Sequence, residues 1–344
     1  MEQTEIRATG VKLTRMGLGT VPLAGLGVPA VDYATFEAVV LAAYQAGIRY
    51  FDTAPMYGMG RAEHFLGHAL RTNDLVGKVT LSTKVGRLLK PASRAKQGEG
   101  LFGITWDGAL PFAEHYDYTY DGIMRSFEDS QQRFGVERFD ILNVHDIGSL
   151  THGENAENRW RELGEGGYRA LAELRAAGGA RAIGIGVNEM EAVERMAAEF
   201  DLDCCLLAGR YSLLNQGPLD SFFPAMQKRG IAVIAAGVFN SGILGGGSKG
   251  ATRIFDYMQA PPEIIARVER LEAACARHGV ALPEAAIQFV SAHPAVACIL
   301  QGCKNTAEVA QNAAALARPI PAALWQDLRA EGLLPENAPV PQGA

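Results

Sequence analysis

Three things are scarce in this sequence: cysteine, long apolar runs and charge of one sign. The five cysteines (Cys204, Cys205, Cys275, Cys298 and Cys303) are an odd number, without CxxC or Cys/His ligand spacing, so neither disulfides nor a bound metal is expected. No run approaches the roughly 18 apolar residues a membrane helix needs, and the opening "MEQTEIRATG" has no apolar stretch to serve as a signal peptide. A cytoplasmic location without membrane contact is the expectation. The net charge of -6 comes from acids and bases mixed along the chain, which leaves no basic tract to neutralise nucleic-acid phosphates. Nucleic acid is not expected as a partner.

What is present is a repeat. Short apolar runs rich in β-branched residues alternate with amphipathic helical segments about eight times, the pattern of βα units around a parallel sheet. The candidate strands are "RMGLG", "IRYFDT", "VTLSTKV", "FDILNVH", "ARAIGIGV", "CCLLAG", "IAVIAA" and "VACILQG". Helices are expected near 33–46, 61–71, 120–134, 166–177, 189–199, 218–229, 262–278 and 305–316. Several end on a glycine suited to a left-handed cap, as in "YQAGIRY" and "KRGIAV". With 344 residues, 48% of them hydrophobic, and no linker or composition break, the pattern favours one (β/α)8 barrel over two doubly wound sheets. The barrel domain is expected over 1–332, followed by a loosely held tail, 333–344. Segments 87–119 and 237–260 exceed what a barrel link needs.

Chemistry in such a barrel belongs at the C-terminal ends of the strands. Asp52 ends the second candidate strand, Tyr57 lies in the loop after it, Lys84 ends the third and His145 the fourth. Each has an ordinary structural explanation alone, but four aligned at one barrel end point to a tuned tyrosine. A lysine about 4 Å from the phenol contributes roughly 4 kcal/mol at an effective dielectric of about 20, enough to draw it toward neutrality. Asp52 would hold Lys84 charged, and His145 would donate a hydrogen bond to a substrate oxygen gaining negative charge.

The stretches "FDTAPMYGMGRAEHFLG", "STKVG", "NVHD" and "CKNTAEVAQN" resemble the aldo-keto reductases, over nearly the whole chain. That resemblance implies a (β/α)8 barrel oxidoreductase with a nicotinamide cofactor and a catalytic tetrad on Asp52, Tyr57, Lys84 and His145. With "FAEHYDYTYDGIMRSFEDSQQRFG" and "LLAGRYSLLNQ", the pattern is most like bacterial aldose 1-dehydrogenases acting on L-fucose, D-arabinose or L-galactose type sugars; pyridoxal-oxidising relatives are similar too. The implied reaction is oxidation of an aldose at its anomeric carbon to the lactone. Pyridoxal oxidation, or general aldehyde and ketone reduction, is the alternative. A monomer or small homo-oligomer is expected.

The resemblance also places the cofactor along Gly19, Thr20, Val21, Asp52, Asn188, Gly237, Phe239, Ser241 and the segment from Leu300 to Asn312, including Gly302, Cys303, Lys304, Asn305, Glu308 and Gln311. The glutamine and tyrosine that many relatives set beside the nicotinamide fall at Ala208 and Ala236, so Phe239 and Tyr211 are expected to hold the ring instead. Relatives that prefer NADP carry a lysine, a serine and an arginine where this chain has Gly302, Cys303 and Glu308. NAD is therefore expected to be preferred over NADP, with Lys304 as the counterweight. Substrate contacts are expected from Tyr57, Trp106, Tyr118, His145 and Asp146, with Phe102, Phe112, His115 and Tyr116 near the rim. Asp146 stands where many reductases of apolar aldehydes carry tryptophan, which suits a hydroxylated substrate. "GLGTVP" and "GIGVNE" lack the third glycine of a dinucleotide fingerprint, and "LGGGSKG" lacks the Walker order.

Overall fold

The computed structural model describes residues 1–92, 104–251 and 253–341. Eight parallel strands close into a barrel in chain order: Met16–Gly19, Tyr50–Asp52, Thr80–Val85, Phe139–His145, Ala180–Val187, Cys204–Ala208, Ala232–Ala236 and Val296–Gly302. All lie within the expected runs. Because sequence order is barrel order, residues ending consecutive strands are neighbours at one mouth. Tyr50, Ile141, Cys204, Ile234 and Cys298 fill the interior with apolar side chains, so the barrel is a packed core and not a pore.

One element absent from the sequence reading closes the opposite end. Gln3–Ile6 and Val11–Thr14 pair antiparallel, and Ile6, Val11 and Leu13 are fully buried against the barrel interior. Burying a side chain of that kind contributes about 1.5–3 kcal/mol.

Two other differences concern helices. Between the last two barrel strands, where one helix is expected, lie a single turn at Ile243–Gly246 and two longer helices, Pro262–Arg277 and Leu282–Ala292. The second packs on the barrel, with Ala285, Ala286, Ile287, Phe289 and Val290 all buried. "LPEAAIQFVSA" is buried nearly all round, so it lacks the polar face that marks a surface helix. The tail expected to be loosely held has Leu333, Leu334 and Ala338 buried, with Arg267 donating to the Leu333 carbonyl (2.9 Å) and Arg329 to that of Ala338 (2.7 Å). Apolar side chains after a helix end found a groove to fill.

The long segments are partly ordered by pairing. Arg87–Pro91 and Phe112–Tyr116 form an antiparallel ribbon beside the mouth; Phe102 lies outside the described residues. Further on, Ile254–Phe255 pairs with Met258–Gln259 around a turn at Asp256 and Tyr257. In "LGGGSKG", Ser248 is buried and bonded through Oγ to Glu272 (2.6 Å). Among the described residues, no helix is long and apolar enough to cross a membrane.

Candidate active site

The centre of the mouth is a buried ion pair. Ser82 and Lys84 lie two apart on the third strand and so share its inward face. Lys84 Nζ donates to Asp52 Oδ2 at 2.7 Å, to the Thr53 carbonyl at 2.8 Å and to Tyr57 Oη at 3.0 Å. Ser82 Oγ donates to the other Asp52 oxygen at 2.6 Å and is itself bonded to Tyr50 Oη at 3.0 Å. The lysine stem passes over Gly186, where a Cβ would meet Lys84 Cε at 3.3 Å, and a Cβ on Gly184 would meet Asn143 Oδ1 at 2.1 Å. The glycines of "GIGV" therefore make room inside the barrel; they do not cradle a phosphate.

Tyr57 reaches this pair from the loop after the second strand. Its N–H donates to the Ala54 carbonyl (3.1 Å), and that of Met59 to Met56 (3.0 Å), while Met59, Gly58 and Gly60 take left-handed backbone. The succession of tight turns aims the phenol back over the barrel. The Tyr57 ring lies 5.7 Å from Trp106 and 6.2 Å from His145 between centroids.

Burial decides the electrostatics. It raises the Tyr57 hydroxyl above its ordinary pKa, with Lys84 pulling down and Asp52 pushing up. The expectation that Lys84 draws the phenol toward neutrality is thus corrected: desolvation of the phenolate outweighs the ammonium. Burial alone would lower Lys84, yet Asp52 and Tyr57 outweigh it and keep the ammonium charged. His145 is held neutral, by burial first and then by the Arg87 and Lys84 charges.

On the far side of His145 the sequence reading missed Arg87. This fully buried guanidinium is bonded to Asp146 and to Glu114 (3.0 Å). The two carboxylates raise its pKa against the opposing effect of burial. Asp146 takes left-handed backbone, φ 44°, which costs about 1 kcal/mol, and its Oδ2 lies 3.5 Å from His145 Nε2. Asp146, expected to meet a substrate hydroxyl, is therefore engaged by Arg87 first. Tyr118, expected at the substrate, is fully buried behind the site and donates to the His145 carbonyl at 2.6 Å. Its ring supports the histidine's backbone.

The other half of the mouth is apolar, with small strand ends at Ala208 and Ala236, Leu300 paired beside Ala236, and Gly19 and Val21 next to them. Thr20 Oγ1 bonds Thr53 Oγ1 at 2.8 Å, which joins the first two strand ends. Asn188 donates to the Ala208 carbonyl (3.1 Å) and to Tyr257 Oη (3.3 Å). Tyr257, a second residue the sequence reading missed, is anchored by its N–H on Ser241 Oγ (2.9 Å). The neighbouring Asp256 pairs with Arg210 at 2.7 Å. Tyr211, in contrast, is buried among Phe223, Phe289 and His293, so it is a core ring and does not reach the mouth. Phe239 is half-buried against the core, and Gly237 is exposed with φ 65°.

At the last strand end, Cys303 is buried and accepts from Asn312 Nδ2 at 3.4 Å, and burial pushes its thiol to about 12. Gly302 ends the strand, Lys304 follows it, and Asn305 caps the helix Thr306–Ala317. The Glu308 carboxylate turns back onto that helix start, accepting from the Lys304 N–H (2.8 Å) and Asn305 Nδ2 (3.2 Å). Gln311 is exposed on the same helix.

A phenol, an ammonium, a carboxylate and a neutral imidazole thus meet at the C-terminal mouth of a closed barrel. The profile of the Aldo/keto reductase family matches residues 15–331. The chain belongs to this family. As an aldo/keto reductase it is an NAD(P)-dependent oxidoreductase. It is 46% identical over 342 residues to a pyridoxal 4-dehydrogenase of Microbacterium luteolum, covering 97% of this chain and 98% of the relative. It is 36% identical over 331 residues to a D-threo-aldose 1-dehydrogenase of a Pseudomonas species, covering 91% and 96%. The fold matches that of a glycerol dehydrogenase from Gluconobacter oxydans, with a TM-score of 0.74 over 98% of this chain and 97% of the other at 21% identity.

Proposed function

We propose that this aldo/keto reductase oxidises the carbinol of a cyclic hemiacetal to a lactone, with pyridoxal first and an aldose such as L-fucose or D-arabinose second. The observation that carries the reading is the Lys84 ammonium 3.0 Å from the Tyr57 hydroxyl, beside an imidazole that burial keeps neutral. The two substrates share their chemistry, because the pyridoxal aldehyde closes onto its neighbouring hydroxymethyl group as a sugar closes onto its own hydroxyl. The 46% relative supports pyridoxal, and the 36% relative supports the aldose.

The small strand ends Ala208 and Ala236 leave room for a flat ring, and the Asn188 amide stands beside them to meet a carboxamide, so the residues fit a nicotinamide dinucleotide. When bound, it supplies the hydride acceptor. Tyr57 takes the proton from the carbinol oxygen, Lys84 stabilises the phenolate this requires, and His145 donates a hydrogen bond to the same oxygen. Trp106 offers a ring face to the substrate. Tyr257, not Tyr211, reaches toward the ring side of the site.

NAD is the preferred cofactor in this proposal. Gly302 and Cys303 offer no cation to a 2′-phosphate, and the Glu308 carboxylate occupies the helix start where that phosphate would bind. Lys304 is left as the nearby base.

The test is a panel of pyridoxal, L-fucose and D-arabinose with NAD, followed through the reduced nicotinamide. Tyr57→Phe should abolish turnover while leaving the affinity for the reduced cofactor, read by fluorescence titration, within about threefold. A Tyr57→Phe protein that keeps wild-type turnover would remove the mechanism, and a wild type inert toward all three substrates would remove the substrate class.

A further inference from the structure

The residues around His145 carry more negative charge than proton transfer needs. Asp146 and Glu114 are both bonded to the single guanidinium of Arg87, and side-chain exposure is only 2% for Arg87, 9% for Asp146 and 16% for Glu114. Two carboxylates against one cation leave a charge of one unit unmatched. Among the described residues, nearby cations do not make up the difference, because Lys84 is matched by Asp52 at 2.7 Å and Arg210, across the rim, by Asp256 at 2.7 Å. Glu189 adds to the same sign: its carboxylate accepts from the Leu150 N–H and Ser149 Oγ, each at 3.0 Å, just after the fourth strand. Tyr116 Oη donates to Glu114 at 3.0 Å, which holds that carboxylate in place without neutralising it. Among the described residues, the substrate side of the mouth is therefore a desolvated, net negative wall.

We infer that Arg87, Asp146 and Glu114 form a charge filter that admits neutral or cationic hemiacetals and turns away molecules bearing a carboxylate or phosphate. The inference rests on the oxidation proposed above. Arg87 keeps two carboxylates together in a poorly hydrated wall, where each alone would repel the other. Their surplus charge is then offered to whatever enters. A sugar hydroxyl or a protonated pyridine ring meets an acceptor, whereas an anion meets repulsion that little water screens.

The experiment compares molecules that share a ring and differ in charge, and the charge-removing variants separate charge from bulk. With L-galactose as substrate, the ring-matched competitor is L-galacturonate; with pyridoxal as substrate, pyridoxine is compared with pyridoxine 5′-phosphate as an inhibitor. The wild type should favour the uncharged member of each pair by at least about tenfold, and Glu114→Gln and Asp146→Asn should each reduce that preference by about tenfold, the effect of one unit charge about 12 Å away at an effective dielectric of about 20. The ratio is read within one protein, so a loss of folded fraction does not move it. High salt should shrink it less than it shrinks a surface effect. A wild type that accepts the anionic member equally well, or two folded variants whose ratios stay within twofold of the wild type, overturns the filter. If the wild type oxidises no hemiacetal, the proposed reaction fails, and isothermal titration of the same four molecules to the protein decides the filter alone by the same ratios.

Discussion

Lys84→Met separates the two roles of the buried ammonium. The change keeps the length of the stem and removes three hydrogen bonds, to Asp52 Oδ2 (2.7 Å), the Thr53 carbonyl (2.8 Å) and Tyr57 Oη (3.0 Å). Asp52 is left buried with Ser82 Oγ as its remaining partner (2.6 Å), and breaking a buried pair from one side costs about 3–5 kcal/mol. Urea unfolding should show that loss, and Asp52→Asn in the same chain should restore part of it. Activity follows a different rule. Burial already raises the Tyr57 hydroxyl, and Lys84 is the main group opposing it, so without the ammonium the hydroxyl moves higher still. Hydride transfer to NAD at neutral pH should fall by about 10²–10⁴, the usual contribution of a positioned acid–base group. It should recover in part as the pH is raised, with the ascending limb of the pH–rate profile displaced upward. The Asp52→Asn, Lys84→Met protein should be more stable than Lys84→Met and no more active. A Lys84→Met enzyme whose profile keeps the wild-type midpoint, slower by the same factor at every pH, would refute the argument: Lys84 would then only hold Asp52.

Glu308→Arg removes the carboxylate from the helix start and offers a cation in its place. The specificity constant for NADP relative to NAD should rise by at least about tenfold, the scale of one charge-assisted hydrogen bond, and a wild type that already prefers NADP would show the assignment of Gly302, Cys303 and Glu308 to be wrong. Acid sensitivity comes from histidines that desolvation keeps neutral: it lowers the buried His145 well below its usual range, and the half-buried His152 and buried His293 to about 4. Since the folded values lie below the unfolded value of about 6.5, their contribution to stability is complete above that pH and is lost as the pH falls from there toward 4. His293 Nδ1 accepts from the Ala295 N–H at 3.1 Å, so His293→Gln should flatten the pH dependence of the urea midpoint in that window, and an unchanged slope would exclude His293 as a contributor.

The barrel was legible because its strands are buried on both faces, which turns each into a short β-branched run between helices of a different period. The tetrad was legible for a related reason. Strands in chain order place their last residues side by side, so polar residues ending consecutive apolar runs must meet. The N-terminal hairpin and the helix Leu282–Ala292 escaped because their signals are weak: four residues per strand in one case, and a helix without a polar face in the other. Arg87 escaped because nothing local marks it. Its role depends on Glu114, which returns to it across the ribbon, and on the left-handed backbone of Asp146. Aromatic residues misled in the opposite direction. Tyr118 and Tyr211 have the right chemistry for a pocket wall, yet both are buried below it, because residue type carries no information about which way a ring points. Tyr257 reaches Asn188 through a turn whose two central residues, Asp256 and Tyr257, both have left-handed backbone.

The protonation of Tyr57 decides what the site can do at rest. The attraction between the Lys84 ammonium and a Tyr57 phenolate is strong in a low-dielectric site. The same low dielectric strips water from the phenolate, and Asp52, which holds Lys84 charged, also repels it. Strengthening the first effect by deeper burial strengthens the other two. The resting hydroxyl is accordingly protonated at neutral pH. A protonated Tyr57 is ready to give a proton to a carbonyl oxygen, whereas taking one from a carbinol first requires its loss. Oxidation by this enzyme should thus climb with pH through the neutral range while reduction does not. The buried Lys84 sets how far the climb is displaced, and the neutral His145, which has no proton to gain until the pH is well below its usual range, leaves the two directions otherwise alike.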